Sequence, residues 1–313
     1  MISRRLLRIK VLKEVFSCLN ANQNSAEILD KHLKNSTWKT YELYHHLMQL
    51  AEEVRSYDEQ QLEFGRQKML ATSEERNPNT KLSGNEFVKV VEQNVALQKF
   101  CEKHKLSWKT SESTIKKIYQ TLTESELYKA YMSSPTRSFS EDKAFIINFF
   151  EQQLEDSEPL LSTLEEHSIL WIDDVEFALS QVVKTFKSFA QNQSPDKPLQ
   201  PLYKDKSDEE FASRLLRRAV AGSDEYQALI DHHTSNWDVE RIAFMDIVIM
   251  VTAIAELVEF PDIPVKVSLN EYIEIAKYYS TPNSSTFING VLDKVVNELR
   301  EKKLLQKTGK GAM

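Results

Sequence analysis

The 313-residue sequence contains few of the residues that make tight turns, with only 6 Gly and 9 Pro. A sheet-rich fold needs many such turns, so this scarcity favours an all-helical fold. Long apolar runs without charge are also missing. The most apolar segment, residues 242–260, contains Asp246, Glu256 and Glu259 and is too short and too acidic for a membrane span. We expect it to be the central helix of a bundle, with no membrane contact.

Cysteine is equally scarce, with Cys18 and Cys101 as the two examples in the chain. Their isolation fits no metal-binding pattern, and we interpret them as small buried hydrophobic residues. The N-terminal residues do not resemble a secretory signal, because Arg8, Lys10 and Lys13 interrupt their apolar residues. The sequence therefore predicts a cytoplasmic protein.

The sequence also lacks the common catalytic motifs. It contains no G-x-G-x-x-G, no P-loop and no G-x-S-x-G. The pairs His45-His46 and His232-His233 are adjacent in sequence, so their side chains should diverge on a helix instead of converging on a metal ion. We therefore expect neither an enzyme nor a metal or cofactor site.

Charge is distributed unevenly along the chain. Residues 1–20 and residues 300–313 each carry a net charge of +4. Because the whole chain has a net charge of −7, the residues between the two ends carry a net charge of −15. Residues 151–180 hold nine acids and no Lys or Arg, and such a stretch would repel a phosphate backbone. The basic ends fit either solubility and helix-end complementarity or a nucleic-acid contact, and charge alone does not decide between them.

Apolar periodicity predicts a first helix over residues 3–19, with Arg4, Arg5 and Arg8 in its first two turns. Basic side chains at a helix N-terminus oppose the helix dipole, so this cluster needs either an anionic partner or another reason. Further helices are predicted at 25–34, 38–64, 86–104, 111–132, 141–155, 158–167, 171–190, 208–221, 223–233 and 242–260.

The last two predicted helices enclose a polar turn. Ser268 and Glu271 have the spacing of a capping box, which predicts a helix beginning after Ser268, and the final helix should begin near Ser284. The sequence between them, "YYSTPNSST", is flanked by Lys277 and Phe287. Aromatic rings and a cation beside an exposed turn are typical of single-stranded RNA contacts, although packing also explains two of the three aromatic residues.

The segment "DIPVKVSLNEYIEIAKYYSTPNSSTFINGVLDKVVNEL" resembles the C-terminal signature of the NusB family of bacterial transcription antitermination factors. That signature has the pattern D-I-P-x-K-V-A-I-N-E-A-I-E-L-A-K, a short polar turn and K-F-V-N-G-V-L-D-K. The N-terminal "SRRLLRIKVLKEVF" is similar to the family's opening, R-R-x-A-R-x-x-A-L-Q-A-L-Y. Residues 3–20 and about 207–300 thus carry the resemblance.

The resemblance implies a non-enzymatic, all-helical factor that binds the boxA element of ribosomal RNA leader transcripts together with NusE, a ribosomal protein of the small subunit, in the RNA polymerase antitermination complex. The family's RNA surface carries over onto Arg4, Arg5, Arg8, Lys277, Asn283 and Phe287. Its partner-protein face carries over onto Phe16 and Asp246. The alternative is an all-helical interaction scaffold that has lost RNA binding.

Several positions depart from the family pattern. Ile247 and Val251 replace two customary arginines, Phe16 replaces a tyrosine, and Thr286 stands where a lysine is common. In the family this helix face meets solvent, so two aliphatic side chains exposed there would enlarge an apolar surface patch. Another part of the chain should therefore pack over them. We therefore predict that residues around 140–190 pack against the apolar helix.

The expected fold is a NusB-like helical bundle with an additional helical layer. Its parts are residues 1–50 with the basic first helix, an inserted region 51–206 with a Pro-rich linker at its end, a core 207–300 and a basic tail 301–313. Residues 157–171 and 223–237 share a few aligned positions, which fits either a duplication or two similar amphipathic helices.

Overall fold

The computed structural model describes residues 1–21, 25–234, 242–308 and 311. Those residues form helices and no strand, which confirms the all-helical fold class. The α-helices are α1 (Arg4–Ala21), α2 (Ala26–Gln67), α3 (Ser73–Arg76), α4 (Glu86–Glu92), α5 (Val95–His104), α6 (Glu112–Glu124), α7 (Glu126–Ser133), α8 (Phe139–Gln153), α9 (Glu158–His167), α10 (Val175–Ser188), α11 (Lys206–Ala221), α12 (Ser223–Thr234), α13 (Phe244–Glu259), α14 (Val265–Tyr279) and α15 (Ser284–Glu301), with a 3-10 helix at Ile169–Asp174.

The chain divides into two compact units. The first unit combines residues 1–37 with residues 203–313, and the second unit is residues 38–202. One boundary therefore falls inside α2, after Thr37. Trp237, which ends the compared segment 223–237, lies outside the described residues, as does part of the predicted basic tail.

Helix α13 forms the centre of the first unit. It packs against α1, α11, α12, α14 and α15. Every residue from 248 to 257 is buried, which confirms a core helix. Among the described helices, none has the length and apolar character needed to cross a membrane. Val251 is fully buried and Ile247 is partly exposed. Coverage of these two residues by residues 140–190 involves both units and stays a prediction.

Several helix boundaries differ from the predicted ones for local reasons. The two helices expected at 25–34 and 38–64 are one helix, because the polar residues 35–37 between them include no Pro or Gly that would end it. Within this helix the Thr37 hydroxyl donates to the Leu33 carbonyl at 2.8 Å. The helix expected at 86–104 is divided because the Asn94 side chain caps α5. In the same way, the Ser125 hydroxyl caps α7 and divides the helix expected at 111–132.

The second unit is built around α8, which packs against α4, α7 and α10. Its core is aromatic: the ring of Phe186 lies 5.3 Å from that of Phe87 and 5.1 Å from that of Phe150. The cysteines of both units are buried, as predicted.

The histidine pair of α2 is also part of this core. His45 stacks on Phe100 with ring centroids 3.6 Å apart, and His46 stacks on Trp108 at 4.1 Å. Burial lowers the pKa of His45 to about 4 and that of His46 to about 3, so both rings are neutral in the folded protein at pH 7.

Candidate functional site

Arg8 lies inside the first unit instead of on its surface. Its side chain is 4% exposed, and it donates to both carboxylate oxygens of Glu256 at 2.7 and 2.8 Å. Glu256 is fully buried in α13 and also accepts from Ser268 at 2.7 Å and from Tyr272 at 3.0 Å. These four hydrogen bonds satisfy a carboxylate that would otherwise be costly to bury. The structure thus corrects the expectation of an accessible Arg8.

Arg4 and Arg5 stay closer to solvent but also have acidic partners. Arg4 donates to Asp208 at 2.7 Å and is 35% exposed. Arg5 donates to both carboxylate oxygens of Glu271 at 2.9 and 2.8 Å and is 52% exposed. The hydrogen bond from Arg5 lowers the pKa of the Glu271 carboxyl despite its partial burial. Exposed pairs of this kind contribute roughly 0–1 kcal/mol, so a phosphate can compete for Arg5.

The predicted capping box is wrong. Helix α14 begins at Val265, after Pro264, so Ser268 and Glu271 lie inside the helix. The buried face of α14 consists of Ser268, Tyr272, Ile275 and Ala276. Ser268 and Tyr272 lie on this face and donate their hydroxyl protons to the buried carboxylate of Glu256 on α13.

Asp246 is 3% exposed and has a partner inside the chain. Its carboxylate accepts from the Ser280 hydroxyl at 2.5 Å. The Ser280 and Ser284 hydroxyl oxygens lie 3.1 Å apart, and because the Ser280 proton is used by Asp246, Ser284 is the donor in this contact. Ser284 in turn accepts from the Thr281 hydroxyl at 2.7 Å. The expectation that Asp246 contacts a partner protein is corrected, because its carboxylate is buried and ties the first turn of α13 to the turn between α14 and α15.

The turn itself is accessible. Thr281, Pro282 and Asn283 are exposed, and the Asn283 side chain makes no capping hydrogen bond to α15. Lys277 is 51% exposed and pairs with Glu274 in the preceding helical turn.

Aromatic side chains flank this turn. Tyr278 is 83% exposed, so its ring projects into solvent immediately before the turn. Phe287 is partly exposed, whereas its neighbour Ile288 is fully buried and takes the core position. The predicted residues Lys277, Asn283 and Phe287 therefore lie around one turn, next to Tyr278, one of the aromatic residues that the sequence places beside the turn.

Phe16, the predicted partner contact, is partly exposed near the end of α1. Its ring makes an edge contact with the ring of Phe244 at 5.3 Å. Phe244 begins α13 and is 39% exposed. The two rings form a half-exposed aromatic pair, and sequence analysis missed Phe244 because it belongs to a segment that is apolar almost all round.

One group among the described residues has the side chains needed to hold a metal ion. It consists of His232 and His233 at the end of α12 and Glu298 on α15, with one ligand atom of each within 4.8 Å of the others. Sequence analysis dismissed this histidine pair because the side chains of adjacent residues were expected to diverge on a helix instead of converging on a metal ion.

These observations define an all-helical protein with an exposed polar turn. The turn is anchored to a buried central helix. The NusB family model matches residues 166–297. The chain is 43% identical over 111 residues to the transcription antitermination protein NusB of Salinibacter ruber, covering 36% of this chain and 69% of that protein. It is 41% identical over 102 residues to the protein of that name from Chloroherpeton thalassium, covering 33% and 48%. The chain belongs to the NusB family.

A further relative and one solved structure agree in name. The Natranaerobius thermophilus protein called transcription antitermination protein NusB is 42% identical over 92 residues, which are 29% of this chain and 66% of that protein. The solved structure of T. maritima NusB is 29% identical and covers 46% of this chain and 89% of its own, with a TM-score of 0.30, which is too low for comparing the folds.

Proposed function

We propose that this protein is an RNA-binding transcription antitermination factor that acts together with NusE on boxA-type leader RNA of ribosomal RNA operons, within the RNA polymerase antitermination complex. Membership of the NusB family supports the class of function. The observation that supports RNA as the ligand is the exposed turn between α14 and α15, with its cation and its flanking rings. We propose a binding role for this surface and no catalytic step.

The turn offers the groups that single-stranded RNA needs. An exposed ring such as Tyr278 can stack on a base, and such stacking is worth about 1–3 kcal/mol per base. Phe287 is the second candidate for stacking. Lys277 and Arg5 supply cations for phosphates, since each is about half exposed and its ion pair is weak enough for a phosphate to replace. Asn283 supplies donor and acceptor groups for a base edge.

Titration of the NusE complex with boxA RNA and with a scrambled RNA of the same composition tests the proposal. We expect tighter binding of boxA RNA, and a loss of about 1–3 kcal/mol for Tyr278→Ala and for Phe287→Ala. Phe64, which is 62% exposed in the second unit, provides the matched control, because Phe64→Ala also removes an exposed ring. Equal affinity for the two RNAs in the parent protein would overturn the proposal.

A role for Asp246 follows from its bond to Ser280. We propose that this carboxylate positions the turn for RNA instead of contacting a partner protein directly. Asp246→Ala removes the acceptor and should weaken RNA binding, whereas Asp246→Asn keeps an acceptor oxygen and should retain most of it. NusE binding should survive in both variants, because we assign the partner contact to the surface around Phe16. Loss of NusE binding with intact RNA binding would contradict this assignment.

The alternative function is a protein-interaction scaffold without RNA binding. It is favoured by the acidic partners of Arg4, Arg5 and Lys277 and by the nine acids of residues 151–180. The same titration separates the two functions, since a scaffold would bind NusE and show no preference for boxA RNA.

A further inference from the structure

Two adjacent histidines at the end of α12 converge on one carboxylate. Neighbouring residues on a helix point about 100° apart, which normally separates their side chains. Here the rings of His232 and His233 lie only 5.1 Å apart, with 67° between their planes. Glu298 reaches them from α15, which packs against α12. His233 Nε2 lies 2.6 Å from Glu298 Oε2.

The spacing of these atoms fits a small metal ion. Zinc takes histidine and carboxylate ligands at about 2.0–2.2 Å in a tetrahedron, so its ligand atoms lie about 3.3–3.5 Å apart. Opening the pair of His233 and Glu298 by less than about 1 Å, and closing the other ligand atoms from at most 4.8 Å by up to about 1.5 Å, would reach that spacing. His232 is exposed, so solvent can supply the remaining ligand. The negative end of the α12 dipole also favours a cation at this point.

We propose that His232, His233 and Glu298 bind one divalent transition-metal ion, with Zn²⁺ as the best fit to the two imidazoles and one carboxylate. The bound ion would join the end of α12 to α15 within the first unit. This inference is independent of the proposed RNA function.

Lys302 modulates the proposed site. Its ammonium lies 2.5 Å from Glu298 Oε1, the carboxylate oxygen that does not face His233. The Lys302 ammonium therefore lies beside the carboxylate that would hold the metal ion. The ammonium charge repels a dication. Removing it in Lys302→Met should therefore strengthen metal binding, an effect that a purely structural ion pair would not produce.

Calorimetric titration of the full chain with ZnCl₂, after removal of any purification tag, tests the site. We expect saturable binding of one Zn²⁺ per chain, a loss of affinity of about tenfold or more in His233→Ala, and tighter binding in Lys302→Met. His32→Ala is the matched control, because His32 faces the single carboxylate of Glu14 at 3.8 Å. It should bind Zn²⁺ like the parent.

Circular dichroism verifies that each variant is folded. Where His233→Ala fails to fold, His232→Asn at the exposed position serves as the second variant. The proposal is overturned if the parent shows no saturable binding, if the His32 control loses as much affinity as the His233 variant, or if Lys302→Met binds no more tightly than the parent.

Discussion

Replacement of Arg8 by alanine should destabilise the first unit strongly. The substitution removes two charge-assisted hydrogen bonds, at 2.7 and 2.8 Å, from a carboxylate that has no exposure to water. Glu256 would keep its hydrogen bonds from the hydroxyl groups of Ser268 and Tyr272, at 2.7 and 3.0 Å, but it would lose the positive charge of the Arg8 guanidinium. Breaking a buried pair on one side costs about 3–5 kcal/mol.

A loss of that size is a large fraction of the roughly 5–15 kcal/mol that stabilises a typical domain. Arg5→Ala provides the contrast on the same helix, because its pair with Glu271 is half exposed and should cost at most about 1 kcal/mol. The double variant Arg8→Met, Glu256→Gln removes both charges. It should recover more than half of the loss, since no unpaired charge stays buried.

The assay must report on the first unit. Trp38, Trp108 and Trp171 belong to the second unit, so tryptophan fluorescence reports largely on that unit. Amide hydrogen exchange along α13, combined with urea unfolding followed by circular dichroism, measures the free energy of opening where Glu256 lies. If Arg8→Ala lowers that free energy by less than about 1 kcal/mol, the conclusion that the Arg8–Glu256 pair is buried away from water is refuted. A double variant as unstable as the single one would refute the unpaired charge as its cause.

Two further predictions concern stability. The pKa values of His45 and His46 are lowered in the folded protein, so between about pH 6.5 and 4 these two rings are protonated only in the unfolded chain. Each ring should therefore lower the free energy of unfolding by about 1.4 kcal/mol per pH unit as the pH falls through that range. A urea midpoint of tryptophan fluorescence that is equal at pH 7 and pH 5 would contradict this prediction. Gly222→Ala should destabilise by about 1–3 kcal/mol, because the added methyl would lie 2.5 Å from the buried ring of Tyr226, and an unchanged melting temperature would contradict the clash.

The fold class and most helices could be predicted from the sequence, because helical periodicity and the scarcity of turn residues are local signals. Boundaries were harder where a single side chain decides. Thr37 lies inside the continuous α2 and bonds back to Leu33, whereas Asn94 and Ser125 cap new helices. In the sequence all three are polar residues between apolar stripes, and only the hydrogen bond that each makes separates the two outcomes.

The residues around the turn could be predicted from the sequence motif, but the burial of the charged residues Arg8 and Asp246 could not. The resemblance singled out Lys277, Asn283 and Phe287, which lie around one exposed turn. The burial of Arg8 and Asp246 could not be predicted, because their partners lie 248 and 34 residues away in the chain and such distant pairs leave no pattern in the local sequence. A buried acid on an apolar helix signals that some partner exists, but the sequence does not identify it.

RNA affinity measured over a range of salt concentrations tests the proposed interface most directly. For single-stranded RNA, each phosphate contact contributes about 0.7 to the slope of log affinity against log salt. Arg5→Gln and Lys277→Gln should each reduce the slope by about 0.7, and the folded double variant Arg8→Met, Glu256→Gln should leave it unchanged. Slopes that stay at the parent value in Arg5→Gln and Lys277→Gln, or a reduced slope in the double variant, would contradict the proposed interface.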